Sequence, residues 1–264
     1  MARAMWKASI RIGRFELPIK LYAAVADRDV HFRLLHKKDR VPVEQRMVDA
    51  RTGKEVSREE ITRGVQVAEG TYVLMQGEEL VAREPEPSRI IEVTRFVPRD
   101  AVDFAFFRRP YWLGPDSSRL DADYFALAEA LREADRYGIC HFVMRKTRYV
   151  GALAAEGPYL ALVALYAPGE VIVEDELTEP GGPALRKEEL ALAEQLIHTL
   201  DAPFDPKELV DDYRERVLAM IEAKSKGKRY RVKEAAAPRV TDDLTAALRK
   251  SVRAAKEVRL ARAS

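Results

Sequence analysis

The sequence is poor in the residues that staple, span a membrane or catalyse. Its 264 residues include one cysteine, four histidines and two tryptophans. A lone cysteine, Cys140, excludes an intrachain disulfide framework and a cysteine-built zinc cage. No apolar run approaches the roughly 20 residues that a membrane-spanning helix needs. The N-terminus, Met1-Ala2-Arg3-Ala4-Met5-Trp6-Lys7, opens basic but reaches no apolar stretch of the signal-peptide kind. A soluble cytoplasmic protein is therefore expected.

Catalytic motifs are also missing. Ser225-Lys226-Gly227-Lys228 lacks the first glycine of a phosphate loop, and neither a dinucleotide fingerprint nor a nucleophile elbow occurs. His31 and His36 are spaced so that neither helix nor strand puts both on one face. Cys140 and His141 are neighbours in a β-like run and point to opposite sides. Cys140 reads as a small buried hydrophobe, Glu174-Asp175-Glu176 as an exposed acidic loop, and His198 as a helix-end residue near the last carbonyls. No nucleophile–base pair assembles, so a binding role is favoured over an enzyme.

What the chain has is segregated charge. Its net charge is +2, yet residues 1–63 carry +6, residues 64–220 carry −12 and residues 221–264 carry +8. Two basic ends around an acidic middle point to a polyanion met by specific segments. The apolar fraction of 47% is ample for a packed core.

The first half reads as β. Trp6, Ala8, Ile10 and Ile12 alternate with polar residues, as do Leu17, Ile19 and Leu21, where Pro18 marks a strand start or an edge. Further β-like runs are 72–75, 89–97, 139–145 and 159–166. Many short strands at this spacing predict a barrel or sandwich. One helix, 121–137, is expected to end at Gly138. Beyond Pro180-Gly181-Gly182-Pro183 the pattern turns helical. Leu190, Ala193, Leu196, Ile197 and Leu200 form one stripe. Leu209, Tyr213, Val217, Met220 and Ile221 form a second, on a helix expected to start at the N-cap Asp205 with Pro206 first. Two such helices need a partner to bury both faces, either a second subunit or the chain's own barrel. A basic linker from Gly227 to Pro238 leads to a last helix, capped by Thr241 or Asp242 and lined by Leu244, Leu248, Val252 and Ala255. It is too isolated to fold firmly alone, and such a helix docks into a groove on a partner.

Residues 28–63 combine regular cations with sparse apolar residues, which is too little for a core. Two weak strands are expected there, 41–48 and a neighbour, with Thr52-Gly53 as the turn. Spaced Arg and Lys on an extended arm suit phosphates, and the poor aromatic content disfavours stacking on single strands.

At this point the chain resembles the bacterial Ku proteins of non-homologous end joining. Trp6-Lys7-Ala8-Ser9-Ile10-Arg11-Ile12-Gly13 and Leu17-Pro18-Ile19-Lys20-Leu21-Tyr22 are similar to that family's opening signature, and Leu35-His36-Lys37-Lys38-Asp39 to its next block. Phe96-Val97-Pro98, Tyr111-Trp112-Leu113-Gly114-Pro115-Asp116, Phe142-Val143-Met144-Arg145 and Glu189-Leu190 through Leu196-Ile197 follow in order. Phe204-Asp205-Pro206, Asp212-Tyr213-Arg214-Glu215-Arg216, Ile221-Glu222-Ala223-Lys224 and Gly227-Lys228 complete the series, and residues 243–252 resemble the family's C-terminal element. The chain departs from the pattern at Ala8, usually glycine, and at Ile12, often phenylalanine. It also lacks the cysteine pair that some members carry near 46–56, so no zinc is inferred.

The resemblance implies an α+β, mainly β fold. A Ku-type β-barrel core would occupy residues 1–184, including a DNA-encircling arm at about 28–70. A helical dimerisation arm would follow at 185–226, then a basic linker with a partner-binding helix at 227–264. It implies a homodimeric, nucleoid-associated ring that binds double-stranded DNA ends without sequence specificity, uses no cofactor and recruits the ATP-dependent repair ligase of the pathway (ligase D). The expected DNA contacts are Arg33, Lys37, Lys38, Arg40, Arg46, Arg51, Lys54 and Arg58. Dimerisation falls to Leu196, Ile197, Leu200, Tyr213, Val217 and Ile221. Ligase binding falls to Leu244, Leu248, Arg249, Lys250 and Val252. The alternatives are a general basic DNA- or RNA-binding regulator without end dependence, and a hydrolase of unrecognised type.

Overall fold

The computed structural model describes residues 3–172, 176–178, 181, 186–227 and 244–263. It divides into two compact units, 1–28 with 33–176, and 29–32 with 177–264. The expected loop at Glu174-Asp175, most of the 180–183 turn, the linker cations from Lys228 to Lys233 and the caps Thr241 and Asp242 lie outside the described residues.

The first unit is built on a closed seven-stranded barrel. β1 (Trp6–Ile12) and β2 (Phe15–Ala23) form the opening hairpin. A long excursion then carries β3 (Arg63–Ala68), β4 (Thr71–Met75) and the short α1 (Gly77–Val81). The chain returns as β5 (Ile90–Pro98), β6 (Phe107–Pro115), α2 (Asp121–Ala134), β7 (Arg136–Met144), β8 (Thr147–Glu156) and β9 (Tyr159–Leu165). Around the barrel the order is β1-β2-β6-β9-β8-β7-β5, and parallel pairing of β5 with β1 closes it. Closure leaves the barrel itself without a free edge, while β3 and β4 pair as a separate two-stranded sheet.

Alternation explains the barrel. Ile10, Leu17, Ile19, Leu21, Ile91, Leu153, Leu160 and Leu162 are fully buried and pack as one cluster with Phe142. Pro18 sits inside β2, opposite Ser9, rather than at its start. Its carbonyl accepts the Asp116 N–H just beyond β6, so the side on which proline lacks a donor is where the β2–β6 ladder ends. Tyr124 of α2 ties helix to sheet. Its buried hydroxyl donates to the Leu113 carbonyl at 2.7 Å and accepts the Leu160 N–H at 2.8 Å. Burial pushes its phenol above the ordinary value.

Two boundaries differ from the sequence expectation. α2 ends at Ala134, and Asp135 takes the left-handed cap conformation. Gly138 is not a helix stop. It lies inside β7, where a Cβ would meet Phe96 and Val93 at 3.1 Å. In the second unit, α3 (Lys187–Leu200) is as expected. Asp205 caps only a single 3-10 turn, and α4 (Asp212–Ser225) starts at Asp211, whose carboxylate accepts the Arg214 N–H at 2.9 Å. α5 (Leu244–Ala263) packs on α3. It is therefore not the isolated helix that the sequence suggested, because its apolar stripe finds a receiving face within the same chain.

Candidate nucleic-acid interface

The excursion between β2 and β5 is the arm. No residue from Tyr22 to Ile90 is buried. Its apolar side chains stay open, with Leu34 64%, Met47 67% and Val48 56% exposed. A segment of this length without a core holds its shape locally. The two weak strands expected there are absent, and two tight loops stand in their place.

The first loop is closed by the Leu35–Pro42 bridge and by His36 N–H donating to the Val41 carbonyl at 2.8 Å. His36 Nδ1 contacts the Asp39 carboxylate inside it. Arg40 takes a left-handed backbone with φ of 60° to complete the turn. Lys37, Lys38 and Arg40 crowd this tip. The second loop is closed by the Val48–Glu55 bridge. The Asp49 carboxylate accepts the Arg51 and Thr52 N–H groups, each at 2.8 Å, and Gly53 supplies the left-handed turn at φ 68°. These bonds hold the Asp49 carboxyl below its ordinary value, Thr52 contributing most and Arg51 next. Arg51 and Lys54 flank this turn.

All eight predicted arm cations are exposed. Arg46 pairs with Glu55 at 2.9 Å. Arg33, Lys37, Lys38, Arg40, Arg51, Lys54 and Arg58 have no acidic side-chain partner among the described residues. An unpaired cation on an open loop keeps its full charge for an external anion. The structure brings Lys37, Lys38 and Arg40 together at one tip. It sets Arg51 and Lys54 on the other and leaves Arg33 and Arg58 outside both loops.

The sequence reading missed a second cationic group, on the barrel. Arg145 and Lys146 form the two-residue tip between β7 and β8, with φ of 51° and 66°. Tips of this type favour Asn-Gly, so two long cations here are unusual. Lys146 pairs with Glu84 at 2.8 Å. Arg145 has no described partner, and Arg148 stands beside it on β8 opposite Val143. The only local signal was a polar break inside an otherwise apolar run.

The second unit shows which helical side chains are free. Ile197, Leu200 and Tyr213 are 68%, 62% and 69% exposed, Ile221 is 40% exposed, and Leu196 is half-buried. Val217 is buried within the chain, so it does not belong to an open partner face. On α5, Lys250 is exposed, Leu248 is half-buried and Val252 is buried. Arg249 forms an ion pair with Glu188. Leu244 is the first residue of α5; its side chain lies outside the described set. Cys140 is buried, donates its Sγ–H to the Gly151 carbonyl at 3.3 Å, and has its thiol pushed up to about 12. It is no nucleophile. Among the described residues no group of acids, histidines and cysteine could hold a metal ion. No described helix is long and apolar enough to cross a membrane.

Residues 11–192 match the family model of the Ku70/Ku80 beta-barrel domain. The chain is 38% identical over 230 residues to the non-homologous end joining protein Ku of Anaeromyxobacter sp. (strain K), covering 86% of this chain and 77% of that protein. It is 35% identical over 251 residues to the non-homologous end joining protein Ku 2 of Geotalea uraniireducens, covering 94% and 97%. It is 33% identical over 254 residues to the corresponding Bacillus subtilis protein, covering 94% and 81%. A closed barrel interrupted by an unburied cationic arm, together with matches that run through most of the chain, places this protein in the bacterial Ku family.

Proposed function

We propose that two copies of this chain close into a ring that binds double-stranded DNA ends without reading sequence, and that the ring recruits the ATP-dependent repair ligase of end joining (ligase D). The protein acts by binding and carries out no catalysis. The observation that carries this reading is the arm: no buried residue from Tyr22 to Ile90, and seven exposed cations without acidic side-chain partners among the described residues. Such a segment contributes little to its own fold. It gains its contacts from a polyanion and a second subunit.

Phosphate contacts are alike at every step of a duplex, so they cannot by themselves prefer a terminus. A closed ring can, because it needs a free end to load. Once loaded it slides, each contact being interchangeable with the next. Arg145 and Arg148 add barrel-side candidates for the same backbone. Dimerisation uses the open apolar side chains of the helical unit, Ile197, Leu200, Tyr213 and Ile221, beside the half-buried Leu196. Large apolar side chains left open in this way are of the kind that marks an interface. The chain works in the nucleoid, in the cytoplasm.

The test compares a linear duplex with the same duplex closed into a covalent circle. Tight binding to the linear form alone supports the ring. Equal binding to both supports a general basic regulator, as does preference for single-stranded RNA.

A further inference from the structure

Helix α5 has one apolar side among its described side chains, and α3 covers it. Val252 and Ala255 are 5% and 9% exposed, and Ala247 and Leu248 are half-buried. Ala246, Lys250, Arg253 and Glu257 lie on the opposite side, exposed. Polar contacts fasten one end of the seam. Arg249 pairs with Glu188. Arg186 donates to Thr245 Oγ1 at 3.0 Å and to Glu189 Oε1 at 2.6 Å, and Thr245 Oγ1 lies 3.5 Å from the same Glu189 oxygen.

α3 itself is two-sided. Glu188, Glu189, Leu192, Leu196 and Thr199 share one face at helical spacing, and this face carries the α5 contacts. Leu190, Ile197 and Leu200 share another face and stay 50%, 68% and 62% exposed. Docking of α5 therefore leaves the second face open. It does, however, occupy the apolar surface that the described side chains of α5 could offer to another partner.

We propose that α5 is a latch held in cis by α3, and that the ligase is recruited by the molecules in which α5 is released. This rests on the ligase-recruitment reading above. The hold is light by construction. Among the described side chains it buries Val252 and Ala255 and half-buries Leu248, and the one described ion pair that crosses it, Arg249–Glu188, sits at the surface, where such pairs are weak. The released helix stays covalently joined to its own chain, so α3 competes for it at a high effective concentration. A partner that grips Leu248 and Val252 must first displace α3, and its apparent affinity is reduced by the closed fraction.

The single cysteine makes the latch measurable. Cys140 is fully buried and its thiol is pushed up to about 12, so it stays silent to thiol reagents in the folded protein. In full-length Val252→Cys protein the new thiol should label slowly with 5,5′-dithiobis(2-nitrobenzoate). Adding Glu188→Arg turns attraction to Arg249 into repulsion and should speed labelling about five- to tenfold. Adding Arg249→Glu to that variant should restore the slow rate. With Val252 intact, Glu188→Arg should bind purified ligase D about five- to tenfold more tightly than the unaltered protein. Unchanged labelling in Glu188→Arg would refute the cis hold. Faster labelling with equal or weaker ligase binding would refute the gate and assign recruitment to the docked α3–α5 pair. Faster labelling with no ligase binding by either form would refute the recruitment reading, and the gate with it, while the hold itself would stand measured.

Discussion

Replacing Lys37, Lys38 and Arg40 together by alanine tests the arm where the structure concentrates its charge. All three sit on one tip, exposed and without acidic partners among the described residues, in a turn held by backbone bonds that alanine leaves intact. Arg40 is already an L-residue at positive φ, so alanine adds no new strain there. Stability should shift by no more than about 0.5 kcal/mol, as for ordinary surface changes. Binding should respond strongly. Each phosphate contact contributes about 0.9 to the slope of log affinity against log salt, and therefore about 0.9 log unit at 0.1 M relative to 1 M salt. If only one of the three touches phosphate in each of two subunits, two contacts vanish. The slope then falls by about 1.8, and affinity at 0.1 M salt falls roughly 60-fold. If all three touch, the slope falls by about 5. Fluorescence anisotropy on a blunt duplex across a salt series reads both quantities. Unchanged affinity with parallel salt lines would refute the assignment of the arm to DNA.

Three further outcomes follow from the geometry. Ile197→Glu changes a side chain that is 68% exposed and should leave the melting temperature of the subunit intact while shifting the molecule to monomer in sedimentation; an unshifted dimer would place the interface elsewhere. Tyr124→Phe removes the donor to the Leu113 carbonyl and strands the buried Leu160 N–H. It should cost about 1–3 kcal/mol, seen as a lower urea midpoint, and an unaltered midpoint would contradict the barrel–helix tie. The Asp49 carboxyl, depressed in the folded loop, supports that loop above its unfolded value near 3.8 and loses this contribution as pH falls through the lowered folded value. NMR should therefore show the Arg51 and Thr52 amide shifts following the Asp49 titration below the ordinary carboxylate range; a midpoint at or above that range would contradict the two hydrogen bonds.

Parts of this architecture are written in local pattern and parts are not. β1, β5 and β9 read directly from alternation or a bounded apolar run. β8 does not: residues 151–155 are buried on both faces in one continuous run, mostly small residues around Leu153, with α2 packed on the strand, so no period shows. β6 was obscured by Pro110 and Gly114 within its span. Asp205 looked the better cap because proline follows it, yet the run from Asp211 carries the helix. The arm cations were legible because the apolar residues among them are sparse and too few for a core. Their gathering onto two loop tips was not, since single bridges leave no periodicity. The Arg145–Lys146 tip lacks the Asn-Gly signature, and docking of α5 on α3 depends on a tertiary contact between distant segments.

The central claim is topological, and salt tests it most directly. The protein is loaded onto a linear duplex, both ends are then closed with bulky streptavidin, and the complex is washed at salt high enough to abolish phosphate contacts. A ring predicts retention until a restriction enzyme cuts the duplex, followed by prompt release. Loss at the same rate from blocked and unblocked duplex would contradict encirclement and leave only a cationic surface.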